Sequence, residues 1–236
     1  MSTALGRALK WGLVARNVAA LTDTPKVVRP EIRSFTPDEA RRFINAVKGE
    51  RLEALYLLTI TLGMRRGEVL GLKWTDADFN ALTIHVRAAL QRVNGRLELS
   101  ETKTERSRRP LPLLDFVTKA LRHQRTRQLE ERLIAGSRWQ DSGFVFTTRI
   151  GSPIDPANLL DDFKRILKKA ALPDIRFHDL RHSAASLLLA LNIHPRVVME
   201  LLGHQQISLT MDAYTHVVPS LVRDAVDKLG VALNGD

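Results

Sequence analysis

The sequence predicts an α+β fold that is mostly α-helical and carries one small antiparallel β-sheet. Two observations predict it: apolar residues recur at helical spacing along most of the chain, and one stretch, residues 82–113, carries strand and hairpin signals instead. With 236 residues, 44% of them apolar and 26% charged, the chain can bury a good-sized core. We therefore expect an ordinary globular protein with no internal repeat.

The first 33 residues are predicted to be separate from the main domain. Apolar residues at helical spacing predict one short amphipathic helix over residues 3–21, and a proline-bearing connector follows over residues 22–33. An isolated helix of this length is marginally stable in water. It should therefore dock on the rest of the chain or be the last piece of an absent domain.

The main domain is predicted to open at Thr36-Pro37-Asp38-Glu39, where a capping threonine precedes a proline and a glutamate. That helix should end near Lys48. A second helix, residues 52–62, is nearly all apolar and should be central, with Gly63 as its stop signal. The arginines that follow, Arg65 and Arg66, would then emerge at the edge of a buried element.

A small sheet of about three strands is predicted next. The segment Leu82-Thr83-Ile84-His85-Val86 alternates, Asn94-Gly95 is a hairpin turn signal, and Arg109-Pro110-Leu111-Pro112-Leu113 suits only an edge strand. Helices are then predicted to return, with proline near the start of three of them. Their expected ranges are 114–134, 156–170, 178–191, 195–202, 208–216 and 219–229.

The charge balance points to an anionic partner. A net charge of +10 and a pI near 10.4 attract polyanions such as nucleic acids, although a merely basic protein, for instance a ribosomal one, has the same property. The chain has no cysteine, which excludes disulfides, thiolate zinc sites and a cysteine nucleophile. No stretch predicts a membrane span or a signal peptide, so we expect a cytoplasmic protein without a membrane partner.

The cluster His178-Asp179-Leu180-Arg181-His182 places two histidines and an arginine on one helical face. Histidines at this spacing can bind zinc, but the metalloprotease motif has glutamate after the first histidine, where this chain has aspartate. A polar helix start with one histidine facing the core is the other alternative. The pentapeptide alone leaves these alternatives open.

Arg65 and Arg181 together suggest a phosphate clamp. A guanidinium is a permanently charged fork that matches two phosphate oxygens at a time, so two of them can grip one phosphodiester. Glu68, one helical turn after Arg65, could orient it. The simpler alternative for Arg65 is a solvated arginine at a helix start.

Cations are dense around Lys103. Residues 103–132 hold nine Lys/Arg against four Asp/Glu, and Arg106, Arg108 and Arg109 lie in the hairpin-like part of this stretch. A solvated charged loop is the common explanation of such a run. Contact with a DNA backbone is the simplest functional one, and it predicts these three arginines as DNA-binding residues.

The two tyrosines have different sequence settings. Tyr56 lies in the apolar run Leu55-Tyr56-Leu57-Leu58 and is predicted to be a core residue, whereas Tyr214 lies in a polar setting, between Met211-Asp212 and Thr215-His216. Only Tyr214 is positioned to react. His204 follows the helix stop Gly203, where it is either a plain capping residue or a hydrogen-bond donor.

Taken in order, these motifs resemble the tyrosine recombinase family, specifically the phage-type integrases. The resemblance covers residues 34–220. It implies that residues 34–218 are the catalytic domain of that fold, that residues 1–33 are the terminal helix and linker of a truncated core-binding domain, and that residues 219–236 form a tail for contact between protomers. The motifs are Gly63-Met64-Arg65-Arg66-Gly67-Glu68, Thr102-Lys103, His178-Asp179-Leu180-Arg181-His182, Leu202-Gly203-His204 and Tyr214-Thr215-His216.

The resemblance also implies a role for each matched residue. Tyr214 would attack the scissile phosphate and form a 3′-phosphotyrosyl link. Arg65, Arg181 and His204 would stabilise the charge that develops, His178 would assist removal of the tyrosine proton, and Lys103 would protonate the leaving 5′-oxygen.

The remaining residues and partners follow from the same resemblance. Glu68 and His182 would support the residues that touch the phosphate, and no metal or other cofactor is needed. The expected partners are double-stranded DNA attachment sites, further copies of the chain assembled on DNA, and accessory DNA-bending or directionality factors. The alternatives are a truncated module that binds DNA with little recombination, and a type IB topoisomerase, which shares the tyrosine chemistry.

Overall fold

The computed structural model describes residues 2–22, 33–101 and 109–203. The chain divides into two compact units, Met1–Glu31 and Ile32–Asp236. In the first unit, helix α1 spans Ser2–Lys10 and a 3₁₀ helix spans Val18–Ala20. The prediction of one helix through residue 21 is therefore wrong. Gly12 adopts a positive φ of 70°, which an α-helix does not accommodate, so the helix ends before it.

The second unit opens as the sequence predicts. Helix α2 (Pro37–Val47) begins with a capping box, in which Thr36 Oγ1 accepts from the backbone N–H of Glu39 at 3.2 Å and the Glu39 carboxylate accepts from that of Thr36 at 2.9 Å. Helix α3 (Glu53–Leu62) is buried along nearly its whole length and ends at Gly63, whose φ is 61°. A short helix, α4 (Arg66–Leu70), follows at once, so that Arg65 lies at a helix start.

The strands form two small antiparallel sheets rather than the single sheet expected. Strands β1 (Ala77–Asp78), β2 (Thr83–Val86) and β5 (Arg109–Pro112) pair in the order β1-β2-β5, while β3 (Ala88–Val93) and β4 (Arg96–Glu101) form a hairpin. Asn94 and Gly95 make its turn, both with positive φ. Strand β5 lies at the edge of its sheet, which is compatible with its two prolines.

Four helices complete the described part of the second unit. Their bounds lie within one residue of the predicted ones, and Pro156 and Pro195 occupy the first helical positions of two of them. The two helices predicted over residues 208–216 and 219–229 lie outside the described residues. The four are α5 (Asp115–Ala135), α6 (Pro156–Lys169), α7 (Asp179–Ala190) and α8 (Pro195–Leu202).

Helix α3 is the centre of the core, packed between α7 and α5. Beside it Phe43, Tyr56, Phe163 and Phe177 form an aromatic cluster in which Phe163 and Phe177 meet edge to face at 5.4 Å between ring centroids. Tyr56 is fully buried, which confirms its prediction as a core residue. The predicted fold class, mostly helical with small antiparallel sheets, is confirmed. Within the described ranges, no helix is both long and apolar enough to span a membrane.

Candidate active site

Helix α7 carries Arg181 into the interior at the end of α3. The start of α7 is fixed by Asp179, whose carboxylate accepts from the backbone N–H of Arg176 at 2.8 Å. Arg181 is only 2% exposed, and its Nη1 donates to the carbonyl oxygen of Gly63 at 2.6 Å. A long cationic side chain is thereby held rigidly against the turn that leads to Arg65.

Arg65 is held from two directions. Its Nη1 donates to Oε1 of Glu68 at 2.6 Å, and its backbone N–H donates to Oε2 of the same carboxylate at 3.0 Å. Its Nη2 donates to the carbonyl oxygen of Gly203, the residue that ends α8, at 3.1 Å. The contact between Arg65 and Glu68 that the sequence suggests is thus present, while the Arg65 side chain keeps 38% of its surface exposed.

Arg109 joins the same carboxylate from strand β5. It is 8% exposed, its Nη2 lies 3.3 Å from Oε2 of Glu68, and its Nε donates to the carbonyl oxygen of Leu201 at 2.7 Å. The sequence alone predicts Arg109 on an exposed cationic surface; the structure buries it instead. The physical reason is the strand alternation of β5, which turns Arg109 and Leu111 inward and the prolines outward.

His178 lies on the site's open side, at the first turn of α7. Its ring packs edge to face on that of His182, with 5.1 Å between centroids. Partial burial is the largest of the causes that lower the pKa of His178 to about 4, and the positive charges of His182 and Arg181 come next. The residue nevertheless remains exposed to solvent. His178 is therefore neutral at pH 7 and able to accept a proton.

Positive charge gathers around Glu68 in the part of the chain that the structure describes. Burial, and then the nearby charge of Arg65, lowers the pKa of Arg181 to about 9, and burial also lowers that of Arg109. Burial alone raises the pKa of Glu68, but Arg109 and Arg65 together hold it below its ordinary value. Among the described residues, the guanidinium groups of Arg65, Arg109 and Arg181 thus lie around the carboxylate of Glu68. An anion such as a phosphate, placed between Arg65 and Arg181, would be attracted by these guanidinium groups.

A cleft of about 890 Å³ opens beside the cluster, and Arg65, Glu68 and His178 contribute to its wall. The cleft is open to solvent, so a large ligand can enter it. Three more arginines line it, namely Arg66, Arg92 and Arg176. No group of three His, Cys, Asp or Glu side chains suited to a metal ion occurs among the residues that the structure describes, and the His178–His182 pair has no such third ligand there.

Five of the residues singled out from the sequence lie outside the described residues: Lys103, Arg106, Arg108, His204 and Tyr214. The chain enters the segment that carries the first three at Glu101 and leaves it at Arg109. It enters the segment with the last two at Gly203. Both segments therefore begin or end at residues adjoining the described cluster.

The shared carboxylate of Glu68 and the contact of Arg109 with the end of α8 were not foreseen from the sequence. A signal for the burial of Arg109 existed, because Arg109 lies two residues from Leu111 and therefore on the same face of a strand as an apolar residue. No local signal pairs residue 109 with residue 68 or residue 201.

Comparison of the sequence with known proteins identifies a family that this chain resembles. The model of the phage integrase family matches residues 33–220. A tyrosine recombinase XerC-like protein of Caldanaerobacter subterraneus subsp. tengcongensis is 37% identical over 97% of this chain and 63% of its own length. An integrase of Saccharopolyspora erythraea is 29% identical over 96% of this chain and 64% of its own. The chain thus spans a little under two thirds of these relatives.

Solved structures share the fold. The Tn1549 transposon integrase, in complex with transposon right end DNA, superposes with a TM-score of 0.76 at 21% identity, covering 97% of this chain and 76% of that one. The crystal structure of XerA recombinase gives a TM-score of 0.64 at 22% identity, covering 93% and 70%. At these identities the likeness concerns the fold alone.

Proposed function

The chain belongs to the phage integrase family, as the sequence motifs predict, and on that premise we propose that it is a site-specific DNA recombinase. It cuts and rejoins DNA by transesterification through a 3′-phosphotyrosine intermediate, without a metal ion. The observation that supports this most is the cluster of Arg65, Arg181 and His178 beside an open cleft, which combines two guanidinium groups with a neutral histidine.

The two arginines suit the proposed phosphate clamp in different ways. Arg181 is buried and donates to the carbonyl oxygen of Gly63, so its guanidinium group is held in place before a substrate binds. Arg65 is oriented by Glu68 but partly exposed, so it offers donors to a phosphate in the cleft. Because these guanidinium groups are in place before the substrate binds, they do not have to rearrange as the transition state forms. Their stabilisation of the charge on the transition state is therefore large.

Side chains of this protein supply the nucleophile and carry the protons in each step of the proposed reaction. The hydroxyl oxygen of Tyr214 forms a bond to the scissile phosphorus, and the bond from phosphorus to the 5′-oxygen breaks. His178 assists removal of the tyrosine proton, and Lys103 supplies a proton to the leaving 5′-oxygen. Arg65, Arg181 and His204 stabilise the pentavalent charge. Rejoining is the reverse attack by a 5′-hydroxyl of a different strand.

The proposed partner is double-stranded DNA that carries attachment sites. The net charge of +10 supports it, and Arg106 and Arg108 are proposed backbone contacts. The Tn1549 integrase of similar fold was solved with DNA. We further propose that residues 34–218 form the catalytic domain, that residues 1–33 end a core-binding domain, and that residues 219–236 contact another protomer on DNA. His182 supports the ring of His178.

The experiment starts from a pool of nicked duplexes enriched by binding to the Tyr214→Phe protein, since the target sequence is unknown. The parent protein, incubated with these duplexes in EDTA, should form a covalent adduct that survives a denaturing gel. Duplexes with two copies of the selected site should also yield recombinant strands. Adducts with relaxation of plasmids of any sequence, and no recombinants, would instead indicate a topoisomerase. Salt-sensitive binding without adducts would indicate a DNA-binding module, and cleavage only with a divalent metal would overturn the proposal.

A further inference from the structure

Three segments that are distant in sequence meet in one hydrogen-bonded cluster that includes the Glu68 carboxylate. Glu68 follows α3, Arg109 begins β5, and Leu201 and Gly203 end α8. Glu68 accepts from Arg65 and Arg109, while Arg65 and Arg109 each donate to a carbonyl oxygen at the end of α8. The four contacts close a ring that links α4, β5 and α8.

The ring is tightly packed around the Arg109 guanidinium. Gly203 has a φ of 68°, and a Cβ atom added to it would lie 2.7 Å from Nη1 of Arg109. Glycine is therefore needed at this position for two reasons, the backbone conformation and the close approach of the guanidinium. Two cations also lie at the carboxyl end of α8, where the helix dipole favours positive charge.

Arg109 adjoins three parts of the proposed machinery. It follows the segment that carries Lys103, it shares the Glu68 carboxylate with Arg65, and it holds the end of α8 just before His204. Its Nε and Nη2 already contact protein oxygens, those of Leu201 and Glu68. Its contacts are of the kind that fix the direction of other side chains.

We propose that Arg109 is a positioning residue of the recombination site: it fixes Arg65 through Glu68 and holds the last turn of α8, which precedes His204 in the sequence. The proposal rests on the proposed function, and it replaces the role of Arg109 as a DNA-backbone contact. Arg109 acts on the reaction through other residues, so its removal lowers the rate of strand cleavage and leaves DNA affinity unchanged.

The test compares Arg109→Met with Arg66→Ala, a variant of an exposed arginine in the cleft wall. For Arg109→Met we expect the single-turnover cleavage rate at saturating DNA to fall on the order of a hundredfold, as a displacement of about 1 Å in a reacting group does. The dependence of its DNA affinity on salt should equal that of the parent. Arg66→Ala should lower the salt slope by about 1 instead.

A double-mutant cycle separates positioning from loss of fold. If Arg109 acts through Glu68, the protein with both Arg109→Met and Glu68→Gln should cleave no more slowly than the slower single variant. A cleavage rate in the double variant reduced by the product of the two single-variant factors would overturn the proposal. So would an Arg109→Met protein that cleaves at the parental rate with a lowered salt slope. Arg109→Lys, which retains the charge, provides a second variant if the methionine protein does not fold.

Amide hydrogen exchange tests the ring without any DNA. The backbone N–H of Arg65 donates to the same Glu68 oxygen that faces Arg109, so Arg109→Met should speed its exchange at least tenfold. Unchanged exchange there would contradict the inference. If the parent fails to cleave but this exchange is faster in the variant, the proposed function fails while the positioning contact stands.

Discussion

Replacing Glu68 with glutamine removes the charge that Arg65 and Arg109 share. The side chain is 3% exposed and accepts from Arg65 N, Arg65 Nη1 and Arg109 Nη2 at 3.0, 2.6 and 3.3 Å. Glutamine keeps the shape, but one of its two terminal atoms becomes an NH₂ group that faces donors. At least one hydrogen bond is then lost in either orientation, and the guanidinium groups lose their counter-charge.

The size of the effect follows from these contacts. A hydrogen bond to a charged group contributes about 1.5–3 kcal/mol, and removing one member of a buried ion pair costs about 3–5 kcal/mol. Because Arg65 is partly exposed and glutamine retains one acceptor, we expect Glu68→Gln to lower the free energy of unfolding by about 3 kcal/mol.

Glu39→Gln is a matched control. Glu39 also caps a helix start from the third helical position, accepting from the backbone N–H of Thr36 at 2.9 Å, but its ion-pair partner Arg33 is 63% exposed. Glutamine is accepted at this capping position, and exposed ion pairs contribute little. We expect a loss below about 1 kcal/mol.

The assay is urea unfolding of the parent and both variants at pH 7, with the slopes compared to check two-state behaviour. The pKa of Glu68 is lower in the folded protein than the ordinary value of 4.5, so its stabilisation is complete above that pH and is lost as the pH falls further. The difference between parent and Glu68→Gln should therefore shrink below pH 4.5. Equal effects of the two substitutions at pH 7 would refute the ion-pair reasoning.

Three further predictions follow from the described residues. In an NMR titration His178 should remain neutral until the pH nears 4, and His182→Asn should raise its pKa by removing a neighbouring positive charge; a midpoint near 6.5 in the parent would contradict this. Gly63→Ala should lower the free energy of unfolding by more than the roughly 1–2 kcal/mol of left-handed backbone strain, because its Cβ would lie 2.1 Å from a leucine of α8. Gly49→Ala is the control: Gly49 has a φ of 78° and open space around it, so this substitution should show the strain alone. Equal losses of stability in the two variants would argue against the close packing at Gly63. Tyr56→Phe should lower the free energy of unfolding by about 1.5–3 kcal/mol through loss of one 2.8 Å hydrogen bond to an aspartate carboxylate, and leave strand cleavage at the parental rate.

Local chemistry explains which parts of the fold were predictable. The capping box at Thr36 and the positive-φ stop at Gly63 depend on residues within a few positions of each other, so the sequence reveals them directly. The same holds for the Asn94-Gly95 turn. The end of α1 was missed because Gly12 is one residue within an otherwise helical pattern, and a single glycine does not always stop a helix.

The site was predictable where a motif is contiguous and not where it depends on distant partners. The contact between Arg65 and Glu68 spans three residues, and the sequence suggested it. The partners of the inward-facing Arg109 are a carboxylate 41 residues away and a carbonyl oxygen 92 residues away, and no local motif indicates them. A dense run of cations predicts an exposed surface, and only the folded arrangement reveals that one of them is buried.

The central claim is that Tyr214 becomes covalently joined to DNA. The most direct measurement is protease digestion of the adduct formed in EDTA, followed by mass spectrometry of the peptide that carries the nucleotide. Tyr56→Phe serves as the matched control, because the buried hydroxyl of Tyr56 donates a hydrogen bond to Asp162 and does not face DNA in the proposal. The account predicts a 3′-phosphotyrosyl link on Tyr214 in the parent and in Tyr56→Phe, and no adduct with Tyr214→Phe. A nucleotide on any other residue, or an adduct that persists in Tyr214→Phe, would contradict it.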